Sequence, residues 1–198
     1  LALALLVQPM AAAAAIVFSD NFDDGDVSDW SMATNHGGTT AVTVRSDSVV
    51  SPSFALFTYL EPPPAGNDLY VHAYRDFLAP VTAVYSLDLW ARSSPCSGCT
   101  ISYEVLLDSN SIDRRSTPNA FEARAYDLGT LVAGTHRLSL GIYTTNASSG
   151  RFNASFDDLI VSTAAAVPAP ATLALGALGL LGRARRRAGR RSTAPRAD

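Results

Sequence analysis

Hydrophobic and polar residues alternate with a period of two through most of residues 16–163, and no stretch of useful length repeats every three or four positions. In "VTAVYSLDLWAR" (81–92), Tyr85, Leu87 and Leu89 fall on one face, and Ser86, Asp88 and Trp90 on the other. "TISYEVLLD" (100–108) lines up Ile101, Tyr103, Val105 and Leu107, and "HRLSLGIYTT" (136–145) lines up Leu138, Leu140 and Ile142. In "RFNASFDDLIVS" (151–162) the same rule aligns Phe152, Ala154, Phe156 and Ile160, and so sets Asp158 on the apolar face. Shorter segments of this kind begin at Ala41, Phe54, Leu69 and Phe121. Each is the pattern of a half-buried antiparallel strand. Between them lie "NHGGT", "EPPPAGND", "SSPCSGC", "DSNSIDRRSTPN" and "TNASSG", all rich in turn formers. The pattern predicts an all-β fold, a two-sheet antiparallel β-sandwich, over the 148 positions from 16 to 163.

The ends do not follow this pattern. "LALALLV" and "QPMAAAAA" (1–15) read as the apolar and cleavage regions of a secretory signal peptide whose start is incomplete, with signal peptidase cutting ahead of Ile16. At the other end, residues 164–182 are uncharged but interrupted by Pro168 and Pro170, and the clean apolar run, 171–182, has twelve residues. An upright spanning helix needs roughly 20. Seven arginines follow, between Arg183 and Arg196, and positive charge after an apolar segment marks the cytoplasmic side. The expected organisation is a signal peptide at 1–15, a sandwich at 16–163, a linker with a short transmembrane helix and arginine-rich end at 164–191, and a tail at 192–198.

Charge sharpens the division. All 15 basic residues are arginine, and the body holds 8 of them against 17 acids, a net of −9 that the overall −3 conceals. An acidic body offers no patch for phosphates, which argues against a nucleic-acid partner. The three histidines, His36, His72 and His136, are far apart, and neither a metalloprotease helix nor a nucleophile elbow occurs. Two facing carboxylates could run glycoside hydrolysis, and the glutamates are only Glu61, Glu104 and Glu122. The reading is a non-catalytic protein, not an enzyme. Cys96 and Cys99, in "PCSGCT", could be a redox dithiol, half a metal site or a disulfide; in an oxidising compartment the disulfide reading prevails.

Acids also cluster. "FSDNFDDGDVSDW" (18–30) holds five aspartates, and "SFDDLIV" (155–161) two more. Such groups are either a solvated edge or a hard-cation site, since calcium takes six to eight oxygens. "FDDG" followed by Trp30, together with the late "FDDLIV", resembles the two ends of galactose-binding-like jelly rolls, the fold of many carbohydrate-binding modules. The resemblance implies a jelly-roll sandwich with a structural calcium joining first and last strands through Asp23 or Asp24 and Asp157 or Asp158. In such modules sugars stack on exposed aromatics. Trp90 is singled out as a glycan platform because it alternates away from the core, with Tyr59, Tyr70, Tyr74, Tyr85 and Tyr143 as further candidates.

The C-terminal stretch resembles the PEP-CTERM sorting signal of Gram-negative bacteria. Its motif is Val167, Pro168, Ala169 and Pro170, followed by "ATLALGALGLLG" and "RARRR", with Ala169 where the family carries Glu. This implies export across the inner membrane, transient anchoring with the C-terminus cytoplasmic, processing by an exosortase, and delivery to the cell surface or extracellular matrix. The expected role is a matrix-associated sandwich, with recognition of extracellular polysaccharide as the alternative.

Overall fold

The structure, a computed structural model, describes residues 14–47, 49–50, 53–61, 68–94, 100–116, 120–145 and 151–163. They fall within one compact unit, Ala14–Ala164. Cys96, Cys99, the motif at 167–170, the apolar run at 171–182 and the leader at 1–13 lie outside the described residues. No helix among the described residues is long and apolar enough to cross a membrane.

Among the described residues eleven strands form: β1 (Ile16–Asp20), β2 (Ser31–Thr34), β3 (Thr39–Arg45), β4 (Ala55–Glu61), β5 (Leu69–Ala79), β6 (Ala83–Ser93), β7 (Thr100–Leu107), β8 (Asn110–Arg115), β9 (Glu122–Leu131), β10 (Gly134–Thr145) and β11 (Phe152–Thr163). One sheet runs β3-β4-β11-β6-β9, with β1 also paired to β11; the other runs β2-β5-β10-β7-β8. Every pairing is antiparallel. We call them the first and second sheets.

The alternation predicted for β6, β7 and β10 holds. Tyr85, Leu87, Leu89, Ile101, Tyr103, Val105, Leu138, Leu140 and Ile142 are all buried between the sheets. Each fully buried Leu or Phe contributes about 1.5–3 kcal/mol relative to an exposed one. Tyr103 meets Phe156 of the opposite sheet edge-on, with ring centres 6.1 Å apart. Tyr85, a candidate platform from the sequence, belongs to this core; its hydroxyl donates to the Val81 carbonyl at 2.7 Å.

Two expectations are corrected. The segment after Leu107 is not all loop, because its first part is β8. Asp108 and Ser109 both adopt left-handed φ, 49° and 69°, so Leu107 pairs with Asn110 across a two-residue turn. Aspartate tolerates that region better than most side chains. Second, the alternation in β11 is broken at Asp158. Its φ of 48° inserts one extra residue against β6, a β-bulge between Asp157 and Ile160. The inward set is therefore Phe152, Ala154, Phe156, Leu159 and Val161, while Ile160 is 36% exposed. Asp158 is half-buried on the bulge, and Asp157 is the aspartate that is fully buried.

His136 ties two turns together. Its Nδ1 meets Asp108 Oδ2 at 2.7 Å and its Nε2 meets the Val132 carbonyl at 2.9 Å. Both partners are acceptors, so the doubly protonated ring fits, and they raise its pKa above the ordinary 6.5, the Asp108 contact most strongly. A raised pKa stabilises the fold fully below about pH 6.5 and loses that contribution as pH rises through the folded value. The stability gap between the parent and His136→Gln is expected to shrink from pH 6 to pH 9 in urea melts; a gap independent of pH contradicts the ion pair.

Candidate functional site

Two places on the surface collect polar and aromatic groups. The first is where the start and end of the sandwich meet. Phe22, in left-handed conformation and fully buried, packs on Trp30 with ring centres 5.8 Å apart, and Trp30 donates its indole N–H to Asp20 at 2.9 Å. This anchors the acidic loop 21–29 beside β11. Asp23 accepts the Ser53 amide at 3.1 Å, and Asp157 accepts the amides of Val50 and Asp158 at 2.8 and 2.9 Å. Burial raises the pKa of Asp158, and the negative charges of Asp157 and Asp23 raise it further. Two of the other three acids predicted from the sequence, Asp157 and Asp23, therefore act on Asp158. Asp24 turns its carboxylate to the amide of Asp26 at 3.0 Å. Among the described residues, no three His, Cys, Asp or Glu side chains are grouped so as to hold a metal ion by themselves. Any cation here would depend on other oxygens for the rest of its shell.

Asp24 and Asp158 open onto a cleft of about 920 Å³ on the outer side of the first sheet. Trp90 lines it, between buried Leu89 and Ala91, so its predicted outward direction is correct. The cleft is also lined by Asp20, Asp26, Asp29 and Asp88, with Arg75 and Arg124 as its cations.

The second place is the outer face of the second sheet. One register row crosses all five of its strands: Ala33, His72, Gly141, Glu104 and Arg114. Gly141 leaves the row's centre open, because a Cβ there would collide with the Val71 carbonyl and the His72 ring. Across that gap His72 Nε2 reaches Glu104 Oε2 at 3.0 Å, while Arg114 donates to the other oxygen at 3.0 and 2.6 Å. The Glu104 side chain is only 3% exposed. Burial pushes its pKa up, but the hydrogen bonds from His72 and Arg114 outweigh that and hold it below its ordinary value. A carboxylate held ionised this way cannot serve as a general acid near neutral pH.

Tyrosines flank this row on both sides. Tyr70 stacks on His72 at 4.8 Å and 14° between planes. Arg114 lies over the Tyr143 ring at 3.5 Å, and Arg137 over the Tyr74 ring at 4.2 Å. Tyr143 donates its hydroxyl to Asp68 at 2.6 Å, and Arg137 is paired with both oxygens of Asp76. Together they enclose a groove of about 410 Å³, rimmed by Ser109, Ser111 and Ser139. Its lining holds two arginines and one carboxylate, Glu104, while Asp76 pairs with Arg137 from outside it. Three of the sequence's candidate aromatics thus share one groove, while Trp90 faces the opposite side of the sandwich and Tyr59 lies on β4 of the first sheet. Sequence reasoning missed His72, Glu104, Arg114 and Gly141, although a glycine inside the strand pattern "SLGIY" is a signal of close approach.

Residues 166–191 match the PEP-CTERM protein-sorting motif, a span that takes in Val167, Pro168, Ala169 and Pro170. No curated protein matches the sequence. Solved structures match the body. A xylan-binding domain of carbohydrate-binding module family 22 has 17% identity and a TM-score of 0.52, over 77% of this chain and 97% of that one. The K3 cleaved adhesin domain of Lys-gingipain from Porphyromonas gingivalis w83 has 12% identity and a TM-score of 0.52, over 77% and 100%. A module from a study of promiscuous specificity in β-sandwich carbohydrate-binding modules has 14% identity and a TM-score of 0.52, over 71% and 60%. At these identities the likeness shows the fold: the antiparallel jelly-roll sandwich of carbohydrate-binding modules.

Proposed function

We propose that this chain is an exported, non-catalytic polysaccharide-binding protein, and that the sugar lies in the tyrosine groove of the second sheet. The observation that carries the reading is the buried row His72, Glu104 and Arg114 on a face turned outward, flanked by three tyrosines. A sheet face turned to water needs no buried ion triad to fold, and such a triad costs desolvation. It does hold a polar floor rigid between aromatic walls, which suits an amphipathic ligand such as a sugar ring. The fold shared with carbohydrate-binding modules and with an adhesin domain supports the same reading.

The sorting motif supports export, with removal of residues 1–15 by signal peptidase, transient retention in the inner membrane of a Gram-negative cell, and exosortase processing that releases the sandwich to the surface or matrix. The body's net of −9 favours a neutral polysaccharide over an acidic one. Affinity electrophoresis of the protein through gels containing neutral or acidic polysaccharides tests this. Retardation by at least one neutral polymer is expected; unretarded migration in every gel would sink the binding reading and leave a structural role.

A structural calcium held by Asp158 with Asp23 or Asp157, and completed by oxygens beyond these carboxylates, is a second part of the proposal. Mutual repulsion at Asp158 is what a bound cation would relieve. At a hundredfold excess over its dissociation constant, an ion that binds only the folded state adds about 2.7 kcal/mol. Thermal melts with calcium and with chelator should differ accordingly, and the difference should vanish in Asp158→Asn. Identical melts in the parent would dismiss the ion.

A further inference from the structure

We infer that the end of the sandwich from which the chain leaves toward its sorting motif is a bilayer-docking tip. The inference rests on the membrane anchoring proposed above. β11 ends at Thr163, which pairs with Tyr85 and donates its amide to the Ala15 carbonyl at 2.9 Å. Two connections between the sheets lie at this same end. Residues 80–82 join β5 to β6, and residues 132–133 join β9 to β10; Ala83 pairs with Leu131, and Ala133 donates its amide to Thr82 Oγ1 at 3.0 Å.

These connections are apolar and uncovered. Leu78 is 65% exposed, Val81 52% and Val132 63%, with Ile16 and Val84 also exposed beside them. Of the eight large apolar side chains exposed among the described residues, these five gather at one end. Scattered exposed aliphatics need no explanation, but a concentration of them does. "LAPVTAV" (78–84) and "LVAGT" (131–135) hold no charge, in a body that carries 25 charged residues, 8 arginines and 17 acids.

Three backbone groups at the tip are already satisfied from within. The Val81 carbonyl accepts the Tyr85 hydroxyl, the Val132 carbonyl meets His136 Nε2, and the Ala133 amide is taken by Thr82. Polar backbone groups that keep their partners make entry into a lipid interface inexpensive. These contacts also fix the tip, so the side chains are presented without ordering a loop.

Chain length supplies the occupant. Seven residues, 164–170, separate Thr163 from the apolar run 171–182. Seven extended residues span at most ~25 Å, so an anchor built from that run keeps this end within that distance of the bilayer. The surface that meets the tip is therefore lipid, and its zwitterionic headgroups suit an uncharged prong on an acidic body better than anionic ones. Docked by its strand ends, the sandwich stands off the membrane with the tyrosine groove on its flank, open to polymer.

The full chain, reconstituted into phosphatidylcholine vesicles with or without brominated acyl chains, tests the tip. Single variants Val132→Trp and Leu78→Trp carry the probe, and Thr100→Trp, at the opposite end of β7, is the control; Trp30 and Trp90 give a constant background. An aliphatic tip seated at the depth of interfacial segments should have its added emission quenched about twofold by bromine, with the control unchanged. Flotation with the vesicles but equal quenching at residues 132 and 100 would overturn the docking while leaving the anchor intact. A blue shift without quenching would place a protein surface over the tip and also overturn it. A chain that fails to float removes the anchor and the docking together.

Discussion

Replacing Glu104 by alanine is expected to cost the sandwich about 3 kcal/mol and to abolish retention on polysaccharide. Among the described residues, this carboxylate is the acceptor that His72 and Arg114 share, and its side chain is almost fully buried. Removing it leaves a cation facing a desolvated gap, and breaking a buried pair costs about 3–5 kcal/mol. The lower end applies because Arg114 is 43% exposed and can turn to water. At roughly 2–4 °C per kcal/mol for a domain of this size, the melting temperature should fall by about 6–12 °C. The combined change His72→Leu, Glu104→Met and Arg114→Leu separates folding from recognition. Apolar replacement of a whole ionic group is often neutral for stability, so this variant should melt near the parent and still fail to bind. A Glu104→Ala protein that melts low yet binds normally would remove the row from the site.

Gly141→Ala should destabilise the fold by about 1–3 kcal/mol although it adds one methyl group. The new Cβ meets a backbone carbonyl, that of Val71, as well as the His72 ring, and neither can swing aside like the end of a flexible chain. β5 must move away from β10, which also draws His72 off Glu104. Gly37→Ala serves as the contrast, because nothing lies within 4 Å of a Cβ there. Its effect should stay within about 0.5 kcal/mol. Urea unfolding of the two variants beside the parent reads both numbers; equal stability of the two would show that the second sheet tolerates a side chain at its centre.

The strands that form the middle of each sheet were legible because they follow the alternation rule without interruption. β6, β7 and β10 are long, apolar on one face, and bounded by turn formers. β2 and β8 were not legible as strands. β2 has four residues, and β8 reads "NSIDRR", whose polar residues carry no apolar stripe; its pairing is imposed by the tight turn at Asp108 and Ser109. The switch of faces in β11 depends on one residue adopting left-handed φ, which no periodicity announces.

The site followed the same division. Tyr70, Tyr74 and Tyr143 could be named as aromatics from the sequence, but their convergence depends on β5 pairing with β10 across roughly a third of the chain. Glu104 looked like an ordinary outward polar residue in "SYEVL". Its burial comes from partners 32 residues before it and 10 after it, brought alongside by sheet order alone. Trp90 was read correctly for direction, yet its strand sits in the other sheet from the tyrosines.

The central claim is that the sugar site is the tyrosine groove, and calorimetric titration of one retained oligosaccharide tests it most directly. The parent, Tyr143→Ala and Trp90→Ala would be titrated side by side, each with its fold checked by circular dichroism. Loss of a stacked ring worth about 1.4 kcal/mol weakens binding about tenfold. The account expects that loss, or more, for Tyr143→Ala and parental affinity for Trp90→Ala. Parental affinity in Tyr143→Ala with weakened binding in Trp90→Ala would contradict it and move the site to the cleft on the first sheet.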